Sequence, residues 1–128
     1  MKNDLEYKCY IVLREDLQMP LGKFAVQVGH AMDQVWTYYM PIKKHSLKTD
    51  DEELQFEKWY NEGRRKIVLK TKNIESLSKL EDKLRAEGTK YFEIKDLGLN
   101  FFNDETITGL VLYPTDKELK SLKRLQCW

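Results

Sequence analysis

The chain has 128 residues, enough for one compact domain that buries roughly two-thirds of its unfolded surface without disulfide or metal staples. Its 41% hydrophobic content, with 12% aromatic, supports a real core. With 22 Lys+Arg against 21 Asp+Glu the formal charge is +1, which excludes a histone-like polyanion binder and an acidic tail but still allows a local basic patch.

Tyr7 to Arg14 (YKCYIVLR) is a short apolar run rich in strand formers and reads as a buried strand. After Pro20 and Gly22, the segment Lys23 to about Tyr39 reads as a long helix, closed by Pro41. Lys43 to Asp50 is a polar loop, and Asp51 to Glu62 a shorter helix stopped by Gly63. Arg65 to Thr71 (RKIVLKT) is a second strand. Asn73 is suited to cap a helix from Ile74 to Glu87, whose Ile74, Leu77, Leu80 and Leu84 keep helical spacing before Gly88. Tyr91 to Ile94 and Thr106 to Tyr113 are the third and fourth strands, and Pro114 opens a last helix to about Arg124, with Leu119 and Leu122 facing inward.

This order predicts a single α/β domain over 1–128: a four-stranded mixed sheet with helices on both faces. Helical crossovers predict that the first three strands run parallel, and the direct link between the last two makes one strand antiparallel. Cys9 and Cys127 form neither a Cys-x-x-Cys pair nor a disulfide framework, so a reducing, cytoplasmic setting is expected. The opening MKNDLEYK has no apolar signal core, and no run approaches the ~20 apolar residues of a membrane span.

The chemically informative segment is the first helix. Lys23, Gln27, His30 and Gln34 fall at offsets of 4, 7 and 11, and at ~100° per residue they project within a sector of roughly 60°. Val28, Ala31, Met32, Val35 and Tyr39 are expected on the opposite, core-facing side. Such a polar stripe is an ordinary solvated face in an arbitrary helix. Here it directly follows a strand and a glycine, where helix N-termini of α/β proteins meet the carboxyl ends of strands and ligands bind.

The run IVLREDLQMPLGKFAVQVGHA resembles the opening of the archaeal- and eukaryotic-type peptidyl-tRNA hydrolases, through Arg14, Asp16, Leu17, Met19, Gly22, Lys23, Gln27, His30 and Ala31. Trp59, the Glu62–Gly63 turn and the spacing to Asp96 extend the resemblance over about Lys8 to Leu122. It departs after the aspartate. Where the family usually has Ala-Gly-Arg-Thr-Gln and then Pro-Gly-Thr, this chain has Leu97, Gly98, Leu99, Asn100 and Phe101, with Asp104 and Glu105 before Thr106. The replaced arginine is a cationic fork suited to phosphate, and Asn100 keeps hydrogen-bonding capacity without a hydroxyl.

The resemblance implies hydrolysis of the ester joining a peptide to the 3′ ribose of tRNA, with no cofactor and no metal. No His, Cys or carboxylate cluster here has metal-ligand spacing. It implies Lys23 and Asp96 as a close catalytic pair, His30 as a proton carrier and Gln27 as a positioning donor. Gly98, Asn100, Thr106 and Thr108 would bind substrate. A tRNA partner calls for positive surface, for which Arg64, Arg65 and Lys66 are candidates, continued by Lys70 and Lys72; Lys43, Lys44, His45 and Lys48 form a second basic stretch. Trp36, Tyr38 and Tyr39 are expected in the core. Phe101 and Phe102 either cap that core or stack a base, and Trp128 is expected as a mobile tail or a dimer contact. A homodimer is worth testing, and no membrane partner is expected. The alternative to a hydrolase is a member of the same fold that binds or cleaves another nucleotide-like ligand, or binds a protein.

Overall fold

A computed structural model describes residues 6–40, 50–98 and 102–128. Strands β1 (Cys9–Arg14), β2 (Lys66–Thr71), β3 (Tyr91–Asp96), β4 (Thr106–Leu112) and β5 (Gln126–Cys127) form one sheet in the order β3-β4-β1-β2-β5. Three α-helices pack on it: α1 (Leu21–Tyr39), α2 (Asp50–Asn61) and α3 (Ile74–Ala86). A single 3-10 turn at Lys120–Leu122 precedes β5.

β1 reads as a continuous apolar run because both of its faces are covered. Cys9, Ile11 and Leu13 enter one core with Ala31 and Val35 of α1 and Phe56 and Trp59 of α2. Val12 enters the other, with Leu77, Leu80 and Leu84 of α3. β4 divides likewise, Val111 going to the first core and Leu110 and Leu112 to the second. Burial pushes the Cys9 thiol up to about 12, so it is an inert core group.

β1 and β2 are parallel, whereas β4 runs antiparallel to both β1 and β3. The first three strands therefore share a direction, as the crossovers predict, and β4 is inserted between two of them. Gly109 makes that insertion possible. A Cβ there would lie 2.0 Å from the Val12 carbonyl oxygen, so any side chain would force β4 off β1.

The sheet has five strands, not four. The fifth adds Leu69↔Cys127 and Lys70↔Gln126 to the β2 edge, too short a ladder to leave a sequence signal. It arises because the expected helix over Pro114 to Arg124 does not form. Thr115 instead exchanges two backbone hydrogen bonds with Lys8, at 2.9 and 3.0 Å. Leu119, Leu122 and Leu125 then reach the second core with a spacing of three, the period of a 3-10 turn rather than an α-helix. Trp128 is correspondingly anchored: its backbone N–H donates to Val68 O, its indole N–H to Leu69 O at 3.0 Å, and its ring packs edge-on against Phe24. No α-helix of the described residues is long and apolar enough to cross a membrane.

Candidate active site

Because β1 and β3 share a direction, their carboxyl ends lie at one edge of the sheet, where α1 begins and where β4, running oppositely, starts. Asp96 ends β3, Thr106 and Thr108 open β4, and Lys23, Gln27 and His30 occupy the first turns of α1. Lys23 Nζ lies 2.6 Å from Asp96 Oδ2, with side-chain exposures of only 12% and 5%. Gln27 Nε2 donates to the same oxygen at 2.8 Å, and the Gly98 N–H donates to Oδ1 at 2.9 Å. The Lys23 ammonium also lies 5.5 Å from the centre of the Phe102 ring.

Gln27 corrects the reading of the helix. It is fully buried and shares a stripe with Ala31 and Val35 at successive four-residue steps. The polar stripe therefore adjoins the core-facing stripe rather than opposing it, and Lys23 and Gln27 point into the end of the sheet. Thr108 accounts for a buried glutamine amide: its hydroxyl lies 2.7 Å from Gln27 Oε1 and 3.3 Å from the Ile94 carbonyl. With Oε1 accepting from Thr108, the amide must present its N–H₂ to Asp96, so the threonine sets the orientation of the glutamine.

Burial alone would raise the Asp96 carboxyl. The hydrogen bonds from Lys23, Gly98 N–H and Gln27, with the Lys23 charge, outweigh it and hold the group at about 2. Asp96 is thus a fixed carboxylate near neutral pH. His30 stands at the mouth, 39% exposed, with Nε2 3.8 Å from Asp96 Oδ2, beyond direct hydrogen-bond length. Thr106 is also nearby in the chain, but its hydroxyl is turned to the Asp104 carbonyl at 2.9 Å.

Gly98 is required by backbone geometry. Its φ is +80°, and a Cβ would lie 2.4 Å from Asp104 O, because the returning loop crosses directly over it. Arg14 holds the neighbouring loop: its guanidinium forks onto both carboxylate oxygens of Asp16 and donates to the Ile107 carbonyl at 2.9 Å. Motif residues such as Arg14 and Asp16 thus support the site from behind.

Not every expected residue joins this cluster. Arg64, Arg65 and Lys66 lie at the start of β2, whose register sets Lys66 beside Cys9 and Thr71 beside Arg14, so they occupy the opposite end of the sheet from Asp96. Arg64 stacks on Tyr60 and Lys66 lies over Trp59. At ~3.3 Å per strand residue the basic run is split between two ends of the molecule. Asn100, with Leu99 and Phe101, lies outside the described residues, as do Lys43, Lys44, His45 and Lys48. Tyr38 and Tyr39 line the first core, while the indole of Trp36 is partly exposed and meets Phe56 edge-on.

Residues 7–124 match the model of the family described as peptidyl-tRNA hydrolase PTH2. A peptidyl-tRNA hydrolase of Methanopyrus kandleri is 33% identical over 112 residues, 88% of each chain. One from Thermococcus onnurineus is 33% identical over 113 residues, again 88% of each. A third, from Thermoplasma acidophilum, is 31% identical over 111 residues, 87% of each. The chain belongs to the PTH2 family of peptidyl-tRNA hydrolases.

Proposed function

We propose that this protein hydrolyses the ester between a peptide, or an N-blocked amino acid, and the 3′ ribose of tRNA. The observation that carries the reading is the buried Lys23–Asp96 pair, held by Gln27 and Thr108 at the carboxyl end of the sheet in a chain of this family. The relatives' shared name favours the hydrolase over a binding-only member of the fold.

Ester hydrolysis needs an oriented water, a group to take its proton and a positive group for the developing oxyanion. Lys23 supplies the positive group, directed by Asp96 and desolvated enough for its charge to count. Asp96, held at about 2, is too weak a base to deprotonate water near neutral pH, so it orients rather than accepts. The 3.8 Å between His30 Nε2 and Asp96 Oδ2 is too long for a bond between them, yet one water oxygen at ~2.8 Å can contact both. His30 is then the proton acceptor, and the carboxylate orients the water by accepting its other O–H. Gly98 and Thr106 are proposed to border the substrate, with Asn100 as a further substrate contact, whereas Thr108 is fully buried and acts through Gln27. Arg64, Arg65 and Lys66, if they contact tRNA, do so away from the ester.

The reading includes a cytoplasmic setting, where peptidyl-tRNA arises, and a homodimer, which sedimentation equilibrium reports directly. The test of function is turnover of purified N-blocked aminoacyl-tRNA. Wild-type protein releases free tRNA, and Lys23→Ala and Asp96→Ala lose most of that activity. Unchanged turnover in both variants refutes the site, and no turnover by wild type refutes the function.

A further inference from the structure

Behind the end of β2, on the α3 side of the sheet, lies an open groove of about 450 Å³ between α3, the 3-10 turn and β5. Lys72, Lys79, Lys83 and Arg124 line it, and the one acid in its lining is Glu15. Glu15 is already matched by Lys70 at 3.8 Å. The other four cations have no ion-pair partner among the described residues. Of the acids of α3, Asp82 and Glu81 pair with Arg85 and Glu87 accepts from Ser121, while Glu75, one turn before Lys79, offsets part of the charge there. In a chain of net charge +1, four such cations against one nearby acid, Glu75, are a local excess, not the average surface.

We propose that this groove binds the phosphate backbone of the tRNA whose ester enters the Lys23–Asp96 site; the inference rests on the hydrolase reading above. Its form favours an extended polyanion over a small ligand. It is open, and its cations are spread along an element rather than converged on a point. Lys79 and Lys83 stand one helical turn apart, ~6 Å, and Lys72 prolongs their line toward the end of β2. That end coincides with the carboxyl end of β3 at which Asp96 lies. The order β3-β4-β1-β2 puts three strand spacings between them, ~15 Å at ~4.8 Å each, and because Lys23 reaches Asp96 from the α1 face while the groove is on the α3 face, the path also rounds the end of the sheet. A polynucleotide held by its 3′ terminal ribose at Asp96 can span that distance in a few nucleotides and lay its following phosphates on the groove. These contacts carry no sequence information, as suits an enzyme acting on tRNAs of every sequence.

The test compares wild type with the triple variant Lys72→Ala/Lys79→Ala/Lys83→Ala on two substrates: N-blocked aminoacyl-tRNA, and the same blocked ester on a short 3′-terminal oligonucleotide. For whole tRNA, KM should rise ~10- to 100-fold with kcat within about twofold, and the plot of log affinity against log salt should flatten by about 2–3. On the short substrate kcat/KM should stay within about twofold, and equal thermal midpoints exclude misfolding. Unchanged KM and salt slope on whole tRNA overturn the proposal, as does an equal loss on both substrates. If wild type turns over neither, the hydrolase reading has failed. Equilibrium binding of deacylated tRNA then still decides the groove: a severalfold loss in the variant supports it, and equal affinity overturns it.

Discussion

Lys23 and Asp96 permit a prediction that separates a functional ion pair from a structural one. Lys23→Met or Asp96→Asn alone leaves a nearly buried charge without its partner, at a cost of about 3–5 kcal/mol. The double variant removes both charges and should recover most of that. It keeps one defect: asparagine has one oxygen to offer where two carboxylate oxygens accept from Gln27 and from Gly98 N–H, a residual loss of about 1–2 kcal/mol. Activity should not recover, since losing one preorganised electrostatic group costs ~10²–10³ in kcat. Acid supplies an independent check. The carboxyl lies at about 2 rather than its ordinary 3.8, which corresponds to about 2 kcal/mol of stability. For a lowered pKa that contribution is complete above about pH 4 and is lost as pH falls toward about 2. The stability gap between wild type and Asp96→Asn, from urea titrations, should therefore narrow by about 2 kcal/mol between pH 4 and 2. Additive losses in the double variant, or a single variant with kcat/KM within about tenfold of wild type, would refute the reasoning.

Thr108→Val strips Gln27 Oε1 of its donor and frees the amide to turn its oxygen toward Asp96; unfolding should show a loss of about 1–3 kcal/mol. The same variant should lower kcat ~10-fold with KM little changed, and Thr108→Ser should restore it; a serine variant as impaired as valine contradicts the hydroxyl's role. Gly98→Ala drives a methyl into Asp104 O at positive φ, so thermal unfolding should reveal a loss above ~1 kcal/mol, with activity falling as the Asp96 Oδ1 contact is disturbed. Gly29→Ala is expected to do the opposite. Its Cβ meets nothing within 4 Å in mid-helix, so stability should rise by about 0.5–1 kcal/mol with kcat/KM unchanged, and a Tm that falls would contradict that packing.

What could be read without coordinates followed the strength of local signals. β1, β2 and α3 were legible because apolar periodicity, the Asn73 cap and flanking glycines agree; the Asn73 side chain does accept from Ser76 N–H at 2.9 Å. The C-terminal segment misled because Pro114 and a leucine pattern resemble a helix start, while pairing of Thr115 with Lys8 is a non-local contact that no local pattern encodes. Lys23, Gln27 and His30 stood out together as a stripe. Helical spacing cannot say which edge of a stripe is buried, and it is the Thr108 contact that accounts for Gln27 lying inside. Strand extension separates the basic residues. Five Lys and Arg within residues 64–72 become two separate patches once β2 is drawn out, and Lys72 at the far end of that run joins Lys79 and Lys83 of α3 and Arg124, distant in the chain, in the groove.

The hydrogen-bond directions at the site form a chain in which each member fixes the next. Thr108 has one proton and two acceptors within reach, Gln27 Oε1 at 2.7 Å and Ile94 O at 3.3 Å, and the shorter contact takes it. Gln27 must then donate to Asp96, whose Oδ2 also receives Lys23 while Oδ1 is occupied by Gly98 N–H. A carboxylate served by three donors is held charged, and its charge keeps the lysine in place. The same saturation removes Asp96 as a base near neutral pH, while His30 stands more exposed at the mouth of the cluster. Strong coupling inside preorganises the charge of the buried pair, and on the proposed reading the exposed imidazole is the group that meets the water.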